Sequence, residues 1–422
     1  MANNFDSNIT RKLARVFLEK FESKRVMSKN VNTQLLKGQF DPSSGTRVDF
    51  KRPTDYKSTR TSDGDISSTT AQDIITGKAT GTVQDYITVE VAFSEAAQSI
   101  EMDQLDDLLD PMATRIVTDL ELDFAGYMMR NSALLAGVHG QGVGTWEEVA
   151  EAGAVMESAG IPKDGNWFYS CNPYTQRSLS GVQRSLGAGE KLVMSSHEMA
   201  TITPMFAGMS VMTATTLASY TSPASTDLVG AVNGTPNVSY LAAKDTMTQT
   251  IVCDGFTDSL TLKAGQMVRI TGRNRLNLNT RQPVITETGA TVVWTATLAQ
   301  DAVMTGGAVT LVLTGPAIYE ANGAYNTTDS AVADNDVITI LGAASTLYQP
   351  NLFWHKQAFS IGSVPIAKLY STDTLATTED GLQIRVSKGT SFRENKQMVR
   401  FDLRPAFATL NPFFSGQGFG AV

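Results

Sequence analysis

Histidine and cysteine are the scarcest chemical groups in this chain, three of the one and two of the other in 422 residues. His139, His197 and His355 each stand alone, without the HxxxH or HExxH spacing that sets two imidazoles on one metal. Cys171 and Cys253 lie far apart with no CxxC, which excludes a disulfide framework and a zinc site and leaves two ordinary thiols. There is no GxSxG elbow, and Cys171 has no nucleophile signature around it, so no catalytic constellation is in view. No apolar run is long enough to span a bilayer, and the opening MANNFDSNITRKLARVFLEKF lacks the apolar core of a secretory signal. The expectation is a protein soluble and cytoplasmic when made, with no membrane partner. Charge is sparse too, at 18%, below the usual quarter or so, and Ser, Thr, Asn, Gln and Gly must carry much of the surface. Such a surface suits packing against other subunits. The net charge of -8 opposes casual adhesion to nucleic acid without preventing a shell around it.

Two near-motifs carry no chemistry. Gly140, Gly142 and Gly144 superficially match a phosphate loop, but they follow a helical run and have no Lys-Ser or Lys-Thr after them, so they read as a helix stop and turn. Glu101, Asp103, Asp106, Asp107 and Asp110 sit in a helix-forming run without the glycine of a calcium loop, which makes them a solvated or partner-facing acidic face. No metal or cofactor is expected.

What the sequence does contain is organised around DQLDDLLDPMATRIVTDLELDFAGYMMRNSALL, Asp103 to Leu135. Asp110 is a strong N-cap residue with Pro111 at the first helical position, and Val117, Leu120, Phe124, Tyr127 and Met128 recur at three- and four-residue steps, with Leu134 and Leu135 closing the pattern. Arg115, Asp119, Glu121 and Asp123 fall in the polar sectors. One long amphipathic helix from Pro111 to Leu135, roughly 35 to 40 Å long, is predicted. Ahead of it, Ile9 to Phe21 predicts an amphipathic helix docked through Leu13, Val16, Phe17 and Phe21. Between the two, the strand-like TRVDFKR (46–52) and YITVEVAF (86–93) bracket a polar excursion and read as a long projecting hairpin, which gains order only by lying on something else. Thr145-Trp-Glu-Glu148 is a capping box opening a helix to about Ala159, and NWFYSCNPY is a buried strand ending in a turn.

From Val238 to Leu341 the runs VSYLAAK, QTIVCD, SLTLKAG, QMVRITG, TVVWTATL, AVTLVLTG and DVITILG, separated by turn residues, predict a small all-β barrel or sandwich inserted between turn-rich borders. Afterwards NLFWHKQAFSIGSVPIAKL, GLQIRVSKG and QMVRFDLRPAFATLNPFF are strands that need a sheet to join. The host domain is therefore discontinuous in sequence, in keeping with two or three domains for this length. Charge is complementary along the chain: the arm carries Arg47, Lys51, Arg52, Lys57 and Arg60, whereas Glu90 to Asp123 is acid-rich and opposed by Arg115 alone. Arg47, Lys51, Arg52 and Arg60 are expected to lie on Asp103, Asp106, Asp107 and Asp110 of a neighbouring subunit. Gly272 to Gln282 carries Arg273, Arg275 and Arg281 without a balancing acid.

In that order and spacing, DFKRPTDY in the arm, TRIVTDLELDFAGYMM in the spine position, SLTLKAGQMVRI in the barrel and NLFWHKQAFSIGSVPI after it, the chain resembles the coat proteins of short-tailed, lambdoid-type phages. The resemblance implies an α+β tailed-phage major capsid protein fold with an inserted β-barrel. It divides the chain into an N-terminal arm (1–37), an extended hairpin arm (38–93), a peripheral domain (94–145 and 370–422) with spine helix 111–135, an axial domain (146–236 and 346–369) and the barrel domain (237–345). It implies a structural, non-enzymatic virion protein, many copies of which assemble in the host cytoplasm with a scaffolding protein into pentamers and hexamers of an icosahedral shell. Portal protein and packaged double-stranded DNA, bound without sequence specificity, are the further partners, and a decoration protein is left open. The family's acidic inter-capsomer loop has no counterpart here, and the loop bearing Arg273, Arg275 and Arg281 is expected to replace it. The readings from other classes are a β-rich carbohydrate-binding or adhesin-like module and an encapsulating compartment of the same fold.

Overall fold

The computed structural model describes the chain apart from residues 1–4, 34–46, 53–55, 57, 68–72, 95–104, 186–193, 195–197, 322, 365, 369, 371–372, 392–395 and 422. It divides into two compact units, each discontinuous in sequence: residues 1–48, 81–125 and 359–408 in the first, and 49–80, 126–358 and 409–422 in the second.

In the first unit, helix α1 (Phe5–Lys24) buries Leu13, Ala14, Phe17 and Phe21 while Arg11, Lys12, Arg15 and Glu19 face outward, the amphipathic split expected of it. Its apolar face lies on the antiparallel sheet Thr374–Thr377, Gln383–Ser391, Lys396–Leu403 and Ile87–Ser94, where Phe17 stacks on Phe401 with ring centroids 4.2 Å apart. The sheet is held internally by Asp402, fully buried, which takes Arg385 at 2.5 Å and Arg400 at 2.7 Å and accepts from the Thr88 hydroxyl. Burying a carboxylate is costly unless every lone pair is used, and here two guanidiniums and a hydroxyl use them.

Helix α2 (Leu105–Arg130) is the predicted spine with its ends moved. Pro111 lies inside the helix, not at its start, and Asp110 is not its N-cap. The physical reason is packing. Leu109, two residues before Pro111, is buried together with Met112, Ala113 and Ile116 after it and so carries the apolar stripe upstream of the proline, and that burial outweighs the one hydrogen bond a proline removes. At the other end Asn131 and Ser132 turn their side chains back onto Tyr127 O and Met129 O, so the helix stops and Leu134–Ala136 becomes a strand. The predicted hairpin also differs. Strand Arg47–Lys51 neighbours Lys78–Val83, whereas Ile87–Ser94 joins Lys396–Leu403 in a different sheet. Lys78–Val83 reads KATGTV, with small residues where a strand pattern would show large ones, so only tertiary pairing reveals it.

The second unit contains a six-stranded sheet in the order Leu134–Ala136, Ser415–Gly418, Asn351–His355, Trp167–Cys171, Met209–Thr213, Met205–Phe206. Its central strand Asn351–His355 is buried along its length and is paired antiparallel on both sides. Gly416 is obligatory there, because a Cβ would stand 2.6 Å from Leu134 O and against the Phe353 ring. Helix α3 (Trp146–Ser158) covers this sheet with Val149, Ala152 and Met156, and its predicted capping box is formed: Glu148 accepts from Thr145 N at 2.9 Å. Helix α4 (Pro173–Ser185) follows the Trp167–Cys171 strand.

The predicted barrel is a closed one of six strands, Thr248–Asp254, Ala308–Thr314, Val293–Leu298, Met267–Asn274, Val337–Ile340 and Val229–Val232. Ile251, Val268, Ile270, Trp294, Leu311, Leu313 and Ile338 fill it. Two details depart from the run-by-run reading. VSYLAAK forms the short helix α5 (Tyr240–Ala243) capped by Ser239, and the sixth strand, Val229–Val232, comes from the turn-rich border stretch. That strand pairs with Thr248–Asp254 on one side and Val337–Ile340 on the other, abolishing both free edges.

Candidate assembly surfaces

The basic residues of the arm are deployed unequally. Arg52 is buried, and its guanidinium donates to Lys78 O at 3.1 Å, Thr409 O at 3.2 Å and Leu410 O, while its backbone N–H donates to Gly77 O at 2.7 Å. Burial pushes its pKa down to about 10, so it stays charged and is compensated by carbonyl dipoles within its own chain. Arg52 is thus an anchor for the base of the arm and not a reaching contact. Asp49 is likewise committed, to Lys78 at 2.8 Å and Thr80 at 2.7 Å. Arg60 is exposed; the Arg47 and Lys51 side chains lie outside the described residues. Of the acidic set, Asp103 and the side chains of Asp106 and Asp107 also lie outside them. Asp110 pairs with Lys24 Nζ at 2.6 Å, and that hydrogen bond holds its carboxyl below the usual carboxylate range.

The barrel loop predicted to carry three unbalanced arginines has a different logic. Arg273 is balanced: it grips Asp336 with two hydrogen bonds of 2.8 and 2.7 Å and donates to Ser330 Oγ. Asp336 lies more than sixty residues downstream, and so no local scan pairs the two. Arg275 is buried, with Nη2 donating to Thr295 Oγ1 at 2.7 Å, and Arg281 donates to Asn326 O at 2.8 Å from a left-handed backbone, φ 56°. The residues between them grip the host sheet's helix. Asn277 donates to Ser158 O at 2.8 Å, the Leu278 N–H to Ala159 O at 3.0 Å, and Asn279 to Gly160 O at 2.7 Å. These are the orphan carbonyls at the C-terminus of α3, capped from a distance of more than a hundred residues. Among the described residues, then, Arg273 and Arg275 are spent inside the chain, and the loop's asparagines serve as a clamp that residue patterns did not disclose.

Glu121 is the other residue that the sequence reading misplaced. The helical periodicity puts it in the polar sector, yet it is 2% exposed and accepts from the backbone N–H groups of Val26 (3.2 Å), Met27 (2.9 Å) and Ser28 (3.0 Å) and from the Ser28 hydroxyl. The signal was available: Glu121 is four residues after Val117 and three before Phe124, which places it within the apolar stripe. Arg25 completes the anchorage by bonding Asp380 at 2.9 Å and Ser28 Oγ at 2.8 Å.

The histidines and cysteines of the described residues are each engaged or buried singly. His355 is buried against Asp164 at 3.1 Å and accepts from Gln357 N, His139 pairs with the Tyr220 hydroxyl at 2.7 Å, and His197 lies outside the described residues. Cys171 and Cys253 are free and buried, and burial pushes both thiols up to about 12, far from the nucleophilic range. Among the described residues no group of three or more His, Cys, Asp or Glu side chains is placed to hold a metal ion, and no helix is long and apolar enough to cross a membrane.

Comparison with known proteins bears on the whole chain. Residues 1–420 match the family model described as P22 coat protein, gene protein 5. The chain is 38% identical over 427 aligned residues to a major capsid protein of Acyrthosiphon pisum secondary endosymbiont phage 1, with both chains fully covered. Among solved structures, similarity is found to the capsid of cyanophage P-SCSP1u (9% identity, 90% of this chain and 84% of that one, TM-score 0.42) and to Mycobacterium phage Che8 (9% identity, 93% and 89%, TM-score 0.45). With a full-length family match behind it, the chain belongs to the P22 coat protein family and is a structural capsid protein of a phage shell.

Proposed function

We propose that the chain assembles around a scaffolding protein, in the host cytoplasm, into pentamers and hexamers of an icosahedral shell, which then receives double-stranded DNA through a portal. Family kinship over residues 1–420 is the observation that carries this reading. The net charge of -8 suits a wall that encloses DNA without binding its sequence. Catalysis has no part in the role, and no cofactor is needed. Within the shell, 1–37 acts as the N-terminal arm, 38–93 as the extended arm, 94–145 with 370–422 as the peripheral domain, 146–236 with 346–369 as the axial domain, and 237–345 as the inserted barrel domain.

The inter-subunit contact is narrowed by the side chains already engaged. Arg60, exposed, together with Arg47 and Lys51 meets Asp103, Asp106 and Asp107 of the next copy, and Arg52 supports the arm from within. The contact between capsomers is assigned to the barrel loop from Gly272 to Gln282. Electron microscopy and sedimentation of the chain expressed alone and with its scaffold test the main reading. Uniform closed shells that require the scaffold are expected; a species that stays monomeric or dimeric under every assembly condition overturns it. The double variant Arg47→Glu/Arg60→Glu should stay folded and assemble poorly, and normal shells from it would remove the arm contact.

A further inference from the structure

Four arginines are buried among the described residues, and three have an evident counterweight. Arg25 has Asp380, Arg385 has Asp402, and Arg52 has a ring of backbone carbonyls. Arg275 has none of these. Its Cα is locked by backbone hydrogen bonds from its own N–H to Val292 O at 2.8 Å and from Val284 N to its carbonyl at 3.0 Å, and the residue is 5% exposed. The side chain runs beneath the barrel strand Val293–Leu298, where Nη2 donates to Thr295 Oγ1 and the Thr295 hydroxyl passes its own hydrogen to Ala133 O at 2.9 Å. Nη1 is buried and has no acceptor among the described residues. Among the described residues no carboxylate acts on this guanidinium: burial alone bears on its charge and lowers its pKa only to about 10, so the group is a cation at neutral pH.

An unpaired buried cation is one of the costliest features a fold can carry, and native interiors supply such charges with a partner. On the same strand face as Thr295, Thr297 and its direct cross-strand partner Thr314 both hold buried hydroxyls without a hydrogen-bond partner among the described residues. We propose that the unpartnered Nη1 group of Arg275, with the Thr295 hydroxyl holding Nη2 in place, forms a binding site for one small inorganic anion of the halide class, buried where the barrel strand faces Ala133. A halide fits because it is monovalent, small enough for so enclosed a group, and satisfied by donors alone. A carboxylate on another chain cannot reach a side chain this enclosed.

The test uses the folded full-length chain at constant ionic strength, with chloride replacing gluconate stepwise. Chlorine-35 NMR line width should show saturable broadening, and the thermal midpoint should rise with the logarithm of chloride concentration. Both effects should vanish in Arg275→Met and persist in Arg60→Met, which removes the same formal charge from an exposed position. If Arg275→Met does not fold, Arg275→Lys keeps the charge, loses the second guanidinium nitrogen, and should weaken chloride affinity tenfold or more. Equal midpoints for wild type in chloride and gluconate, with no saturable broadening, overturn the site, as does undiminished broadening in either Arg275 variant.

Discussion

Acidification should loosen the C-terminal end of the second unit through one residue, His139. Its Nε2 pairs with the Tyr220 hydroxyl at 2.7 Å, its ring packs on Tyr348 and Phe419 with centroids 4.6 and 4.5 Å away, and its Nδ1 is buried without a partner among the described residues. Phe419 is fixed beside it by hydrogen bonds that tie the chain's end to the 136–141 turn, Phe419 N to Ala136 O, Gly420 N to Gln141 O and Val138 N to Gly420 O. A protonated ring would add a second buried N–H with nothing to receive it. Accordingly burial lowers the His139 pKa from 6.5 to about 4. Between those two values the unfolded chain binds more protons than the folded one, so the contribution is fully present above about pH 6.5 and is lost as pH falls toward 4. At 1.36 kcal/mol per unit the whole loss is about 3 kcal/mol, and about 2 kcal/mol of it has gone by pH 5. Urea unfolding of wild type and His139→Gln at a series of pH values isolates this contribution, because every other titrating group is common to both proteins. Glutamine loses the ring contacts at all pH values, so wild type should lead at pH 7.5 and its lead should shrink by about 2 kcal/mol at pH 5. A gap between the two that stays constant with pH would refute the reasoning.

Three further outcomes are expected. Glu121→Ala strands three backbone donors at 26–28, two of them buried, and should lower stability by about 3 kcal/mol, with hydrogen exchange showing early loss of protection in α1. Asn277→Ala with Asn279→Ala uncaps the C-terminus of α3 and should lower stability by about 2 kcal/mol in denaturant titration, leaving the barrel's own amide protection intact. Gly416→Ala drives a methyl group into Leu134 O and the Phe353 ring and should destabilise by about 3 kcal/mol or more, read as a lowered thermal midpoint, whereas Gly142→Ala, where a Cβ meets nothing within 4 Å, should be nearly silent.

The sequence by itself determined whatever depends on short-range periodicity and on absence. The amphipathic face of α1, the Thr145–Glu148 capping box, the barrel runs and the terminal strands were legible because each rests on residues two to four positions apart. The scarcity of histidine and cysteine already pointed away from chemistry, and the order of the segments pointed to the capsid family that residues 1–420 match. Tertiary structure decided every matter in which the partner is remote. Buried Leu109 carried the spine helix past Pro111 because packing exceeded one missing hydrogen bond. Val229–Val232 became a strand because a barrel has to close, and Lys78–Val83 because Arg47–Lys51 lies beside it. Charges diverged most of all. Arg52, Arg273, Arg275 and Glu121 look alike in a linear scan, and only the fold turns them into a carbonyl-bound anchor, half of a bidentate pair, an unbalanced buried cation and a carboxylate seated on three backbone N–H groups. The energy of a charge depends on burial and on partners dozens to hundreds of residues away, and neither quantity is local to the chain.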